Sequence, residues 1–195
     1  MTRKSKVQRN TTETRIDLQL TIDGKGHCAI DTGIGFFDHM LTLFSRYSFF
    51  DLELSAKGDL EVDWHHTVED VGLVLGDAIS QALGSREGIQ RYGHGVTPMD
   101  ESLSMVTVDL SNRPFLVYQV PADIMPQGPF DVLLAKEFFR ALATRAGMNL
   151  HITVPYGENQ HHIIESIFKG LGRALDQATR HDPRIQGVHS TKGQI

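Results

Sequence analysis

Asp63-Trp64-His65-His66-Thr67-Val68-Glu69-Asp70 is the stretch on which the reading of this chain turns, because its His-His-x-x-Glu pattern occurs twice. Ninety-six positions on, His161-His162-Ile163-Ile164-Glu165-Ser166 keeps both histidines and the glutamate and changes what lies between them. At the same offset Leu75-Gly76 falls on Leu171-Gly172, Ala78 on Ala174, Gln81-Ala82 on Gln177-Ala178, and Ile89-Gln90 on Ile185-Gln186. Two copies at one fixed spacing indicate a duplicated half-domain, since a solenoid needs at least three repeats. With a shift of 98 the match extends backwards: His39-Met40-Leu41 faces Glu137-Phe138-Phe139, and Leu52 faces Leu150.

Working outward, Arg15 to Ile22 alternates polar and apolar as a half-buried strand does, and Asp23-Gly24-Lys25-Gly26 turns into a short second strand at His27 to Ile30. Phe36 to Arg46 has helical spacing, Phe49 to Ala56 alternates, and Thr67 to Leu83 reads as a helix ended by Gly84. The second half gives strands at Ser102 to Leu110 and Pro114 to Val120, a loop at Pro121 to Gly128, a helix at Phe130 to Ala146, a strand at Asn149 to Val154 and a helix at His162 to Arg180. The expectation is an α+β chain, a two-layer sandwich. Each half (1–90 and 91–195) is a mixed sheet of about four strands with two helices on one face, and the halves pack side by side or back to back as one duplicated domain.

Composition limits the function classes. The 195 residues are 40% hydrophobic and 22% charged, with a net charge of −5. A nucleic-acid footprint needs the opposite balance. The basic cluster Arg3, Lys4, Lys6 and Arg9 reads as an exposed, poorly ordered arm. Cys28 is the single cysteine, so no internal disulfide can form, which favours a reducing compartment. No apolar run approaches the roughly 20 residues that span a bilayer, and no apolar stretch follows the N-terminal charges, so a cytoplasmic protein is expected.

The chemistry lies in the ten histidines, two pairs of which are adjacent. On a helix, residues four apart share a face while neighbours diverge by about 100°. His65 and Glu69 can therefore aim at one point, as can His161 and Glu165, while His66 and His162 aim elsewhere. Imidazole with carboxylate suits Mn, Fe or Zn, and more than four mixed donors suit six-coordinate Mn²⁺ best. His39 is a further candidate because its duplicate, Glu137, is also ligand-capable. Asp38 is the candidate to orient the His39 ring. Arg91, Arg113 and Ser190-Thr191-Lys192-Gly193 are of the right type to hold a phosphate. No Gly-x-Gly-x-x-Gly follows a strand, so no nicotinamide or flavin is expected.

Phe37-Asp38-His39-Met40, the Asp63–Asp70 stretch, Pro98-Met99-Asp100-Glu101, His161-His162 with Glu165, and Ser190-Thr191-Lys192-Gly193 together resemble the imidazoleglycerol-phosphate dehydratase family, in order and spacing, from about Arg9 to Ile195. The resemblance implies loss of water from imidazole-glycerol phosphate to give imidazole-acetol phosphate in histidine biosynthesis. It implies two Mn²⁺ ions per active site, in a homo-oligomer of 24 subunits built from trimers with active sites between subunits. Position by position, one ion falls to His39, His66, His161 and Glu165, the other to His65, Glu69, His162 and Glu137. Many members carry His where this sequence has Glu137. Glu13, His39, Arg91, Arg113, Ser190 and Lys192 are implied as substrate contacts, the last four at the phosphate, with Glu13 as acid/base and Asp100 and Glu101 in reserve. A metal-dependent hydrolase and a non-catalytic metal-storage protein are the rival readings.

Overall fold

The computed structural model describes residues 2–121 and 128–195. In the first half, β1 (Lys4–Asn10), β2 (Thr14–Thr21), β3 (Cys28–Asp31) and β4 (Asp51–Gly58) form one sheet, with α1 (Gly35–Ser48) between β3 and β4 and α2 (His65–Leu83) after β4. The second half repeats this order as β5 (Tyr92–Met99), β6 (Ser102–Asp109), β7 (Phe115–Gln119), α3 (Val132–Ala146), β8 (Asn149–Tyr156) and α4 (Gln160–Thr179). The sheets have matching topologies, β1-β2-β4-β3 and β5-β6-β8-β7. Each is mixed: β3 runs parallel to β4 and β7 to β8, joined through α1 and α3, while the other pairs are antiparallel. Parallel neighbours need such a crossover. The loop expected at Pro121 to Gly128 falls largely on residues 122–127, outside the described residues.

The halves meet helix against helix, α1 on α4 and α2 on α3, with each sheet on the far side of its own helices. This explains the repeated Leu-Gly. A Cβ on Gly76 would come within 2.8 Å of Leu142 O on α3, and one on Gly172 within 2.8 Å of Phe44 O on α1. Both duplicate glycines mark the line where one half's helix crosses the other's. Between the helices lie Phe37, Phe138, Phe139 and Phe168, all fully buried, with the Phe138 and Phe168 rings stacked at 5.3 Å and Phe37 edge-on to Phe138 at 5.3 Å. Such pairs contribute about 0.5–1.5 kcal/mol beyond their burial. Phe37 is two residues from His39, Phe138 adjoins Glu137 and Phe168 follows Glu165 by three, so this cluster fixes the turns that carry those three side chains.

Two sequence expectations are corrected. The N-terminal residues are not a loose arm but the edge strand β1, paired along its whole length from Lys4↔Thr21 to Asn10↔Arg15. Its inward side chains are Ser5, Val7 and Arg9: Ser5 Oγ donates to Ala78 O at 2.8 Å, Val7 packs against the core, and Arg9 Nε lies 3.0 Å from Asp70 Oδ1. Arg3 is held by Asp23 and by the Thr179 carbonyl. The strand β5 was not anticipated either. Its inward positions include Gly93 and Gly95, because α4 lies directly on them: a Cβ at Gly93 would sit 1.9 Å from Ala174 O.

Helix starts are specified locally. Asp131 caps α3, accepting from Leu133 N at 2.9 Å and Leu134 N at 2.8 Å. Asp131→Ala is expected to cost about 1 kcal/mol. A thermal melt should show this as a fall of about 2–4 °C for a chain of this size; an unchanged melt would mean that the cap is redundant.

Candidate active site

Asp63 and Asn159, again 96 apart, start the two histidine helices by accepting from the backbone N–H of His65 (2.8 Å) and His161 (2.9 Å). This puts each His-His pair in the first turn, where its rings project beyond the helix end. His161 Nε2 lies 3.1 Å from Glu165 Oε2, and His39 Nε2, from α1, lies 3.5 Å from the same oxygen. One atom from each of His39, His161 and Glu165 falls within 4.8 Å of the others, which suits one ion. Glu165 is buried, which opposes its charge. Lys169, at 2.5 Å from the other oxygen, together with His161 and His39, outweighs that and holds the carboxyl below its usual range. Phe36 packs edge-on against the His161 ring at 5.1 Å.

The repeat-related residues lie on α2 and α3 and are less closely gathered: among the described residues only His39, His161 and Glu165 bring three ligand atoms within 4.8 Å. His65 Nε2 is 3.5 Å from Glu69 Oε2. Glu69 and Glu137 are drawn together by Arg140, whose Nη2 lies 3.2 Å from Glu69 Oε1 and pairs with Glu137 Oε2. That Glu137 oxygen is buried and, despite the ion pair, receives no well-aligned hydrogen bond among the described residues. A guanidinium between two carboxylates was not anticipated, although its (i, i+3) spacing from Glu137 was available in the sequence.

The second histidine of each pair turns away, as the helix geometry requires. His66 Nδ1 meets Asp59 Oδ2 at 3.0 Å and stands 3.9 Å from Glu13 Oε2. His162 Nδ1 meets Glu101 Oε2 at 2.7 Å, with Asp100 at 3.8 Å from its other nitrogen. These hydrogen bonds raise the pKa of both rings, His66 through Asp59 and His162 through Glu101, and hold Glu101 well below the usual carboxylate range. Within one chain, then, His39, His161 and Glu165 are together without His66, and His65, Glu69 and Glu137 are neighbours without His162. Asp38 does not orient His39. Its Oδ1 accepts from Thr32 N (2.9 Å) and Thr32 Oγ1 (2.6 Å), fixing the entry to α1.

Arg91, Arg113, Ser190 and Lys192 all line one cavity of about 860 Å³, with Arg184 and His189. Arg113 and Lys192 give it the character of an anion site, while Arg184 is paired with Asp182 at 2.8 and 2.5 Å. Arg91 is already engaged: Nε and Nη2 pair with Asp109 at 2.6 and 3.0 Å, and Nη1 donates to His189 O at 2.8 Å, anchoring the segment that carries Ser190. This cavity follows the end of α4, whereas His161 is at its start. At 1.5 Å per residue the separation from His161 to Thr179 is roughly 27 Å.

The family model for imidazoleglycerol-phosphate dehydratase matches residues 32–175. Curated proteins of that name from Desulfosudis oleivorans and Trichlorobacter lovleyi are 57% and 58% identical over 195 residues, covering all of both chains in each case. The crystal structure of the dehydratase from Pyrococcus furiosus superposes with a TM-score of 0.85 at 39% identity, over 97% of this chain and 100% of that one. A duplicated fold that places paired histidines and carboxylates at its helix starts thus coincides with full-length likeness of sequence and structure. This chain belongs to the imidazoleglycerol-phosphate dehydratase family, enzymes of the dehydration step in histidine biosynthesis.

Proposed function

We propose that the chain converts imidazole-glycerol phosphate to imidazole-acetol phosphate with two Mn²⁺ ions, at active sites completed between copies of itself. The observation that carries the metal reading is the His39–His161–Glu165 trio, with ligand atoms within 4.8 Å of one another. The mixed nitrogen and oxygen donors suit Mn²⁺. Glu69 and Glu137, two carboxylates that share Arg140 beside His65, supply oxygen donors for a second cation. His39, His161 and Glu165 hold one ion with His66 of another copy, and His65, Glu69 and Glu137 hold the other with His162 of another copy.

Two features support assembly. His66 and His162 face away from the trios of their own chain. The anion cavity lies roughly 27 Å along α4 from His161, which a three-carbon phosphate cannot span. A neighbouring copy brings cavity and trio together. The 24-subunit cage and a cytoplasmic location follow from the family resemblance. Among the described residues no helix is long and apolar enough to cross a membrane.

When bound, the ions supply Lewis acidity to the imidazole ring of the substrate. Arg113, Lys192 and Ser190 grip the phosphate remote from the reacting carbons, and Arg91 fixes that wall, so that binding energy sets the position of the substrate. Glu13, at the turn before β2 and exposed, moves the proton between carbon and the departing hydroxyl, a role that contributes about 10²–10⁴-fold.

Metal-stripped protein should regain ketone formation on addition of Mn²⁺, with no phosphate released in the same tube. Phosphate without ketone would replace this reading with a hydrolase. Metal binding with neither product would leave a storage protein.

A further inference from the structure

Duplication has left each half with a carboxylate in the same place. Glu13 ends the turn before β2 and Glu101 the turn before β6, each immediately ahead of a buried hydroxyl residue, Thr14 or Ser102. Each faces the second histidine of its own half. Their surroundings differ sharply. Glu101 Oε2 contacts His162 Nδ1 at 2.7 Å, and its Oε1 accepts from Asn159 N at 2.8 Å, Glu158 N at 3.2 Å and Ser102 Oγ at 2.8 Å. Four hydrogen bonds fill the ordinary acceptor capacity of a carboxylate. Glu13 is 3.9 Å from His66, beyond hydrogen-bond reach, and its side chain is 51% exposed. In the first half the position against Nδ1 is taken instead by Asp59, at 3.0 Å. At the 98-residue shift that sets β4 on β8, Asp59 corresponds to Gly157, which has no side chain, so the second half has no such substitute.

We infer that Asp59 and Glu101 are positioning residues that set the rings of His66 and His162, and that the presence of Asp59 is what frees Glu13, but not its duplicate, to transfer protons. A ligating imidazole donates its other ring N–H to a carboxylate, which fixes both tautomer and orientation. With Nδ1 held by Asp59 or Glu101, Nε2 is the nitrogen left to face an ion. One job, done twice in a symmetrical ancestor, is divided: Glu101 keeps the ring-holding part, Asp59 performs it in the other half, and Glu13 retains an unbound carboxylate. This explains from the fold why one hairpin turn and not the other supplies the acid/base. The inference rests on the two-metal reading above.

Mn²⁺ affinity of the full-length protein, read from free Mn²⁺ by electron paramagnetic resonance, tests it together with kcat at saturating Mn²⁺. Glu101→Ala is expected to weaken one class of Mn²⁺ site by about 10–100-fold. Glu101→Gln, whose amide oxygen still accepts from Nδ1–H, should recover most of that affinity and keep kcat within about tenfold of wild type. Glu13→Gln should bind Mn²⁺ as wild type does and lose kcat by about 10² or more. Glu101→Ala binding Mn²⁺ as tightly as wild type would overturn the inference, as would Glu101→Gln losing as much kcat as Glu13→Gln. A wild-type protein that binds no Mn²⁺ would overturn the metal reading, and this inference with it.

Discussion

Chains carrying His161→Ala and chains carrying Arg113→Glu, each lowered by about 10² or more alone, are expected to recover about a quarter of wild-type activity when co-expressed and purified as a mixed assembly. The first substitution removes one imidazole from the trio with His39 and Glu165. The second reverses a charge in the anion cavity at the far end of α4. If every active site joins the trio of one copy to the cavity of another, each site draws its two parts independently. In an equal mixture half of the trios and half of the cavities are intact, so about one site in four has both. A site contained within one chain would show no recovery, because every chain carries one defect. Differently tagged chains and sequential affinity steps give the mixture, and ketone formation per subunit reads the result. Activity remaining at the level of the single variants would sink the shared-site proposal without touching the fold or the family.

Gly93→Val should be the most damaging single change to stability. A Cβ there would meet Ala174 O at 1.9 Å, Ala174 C at 2.9 Å and Ala178 N at 2.9 Å, all backbone atoms of α4. No flexible side chain can swing aside. The helix is also clamped on its other face, where a Cβ on Gly172 would lie 2.8 Å from the α1 backbone. Overpacking usually costs about 1–3 kcal/mol, and backbone on both sides of α4 places this case at or above the upper end. The expected result is chain that is insoluble or melts far below wild type. Tyr92→Val, one residue away on the exposed face of the same strand, serves as the control. A folded Gly93→Val protein with a wild-type melt would show that β5 and α4 can separate.

Much of the candidate site could be read in sequence because the repeat keeps its histidines and glutamates. Thr67, Val68 and Asp70 became Ile163, Ile164 and Ser166 across the repeat, while His65, His66 and Glu69 did not change. The divergence of adjacent helix residues likewise predicts that His66 and His162 leave the trios, which the structure shows as their turn toward Asp59 and Glu101. Two kinds of feature were hidden. The strands β1 and β5 lack the apolar alternation that marks a half-buried strand, since β1 turns Ser5 and Arg9 inward and β5 turns Gly93 and Gly95 inward. Long-range polar contacts were hidden too. Glu101 is 61 residues from His162, and nothing in its local pattern names a partner. The sign that could have found it was positional: Glu13 and Glu101 both precede the second strand of their hairpin. Asp38 misled for the opposite reason, since adjacency to His39 suggested a contact that helix geometry sends to Thr32 instead.

The helix-to-helix join between the halves has a consequence for where the trios form. His39 comes from the first half and His161 with Glu165 from the second, while His65 and Glu69 come from the first and Glu137 from the second. A half on its own would therefore own neither complete trio. It would also leave bare the helix surface that Gly72, Gly76 and Gly172 shape for close approach. Two separate copies docked face to face would restore both features at once. In one chain the linker between the halves makes that encounter intramolecular, so both features form wherever the chain folds. The His39–His161–Glu165 trio is thus assembled only where the two halves meet.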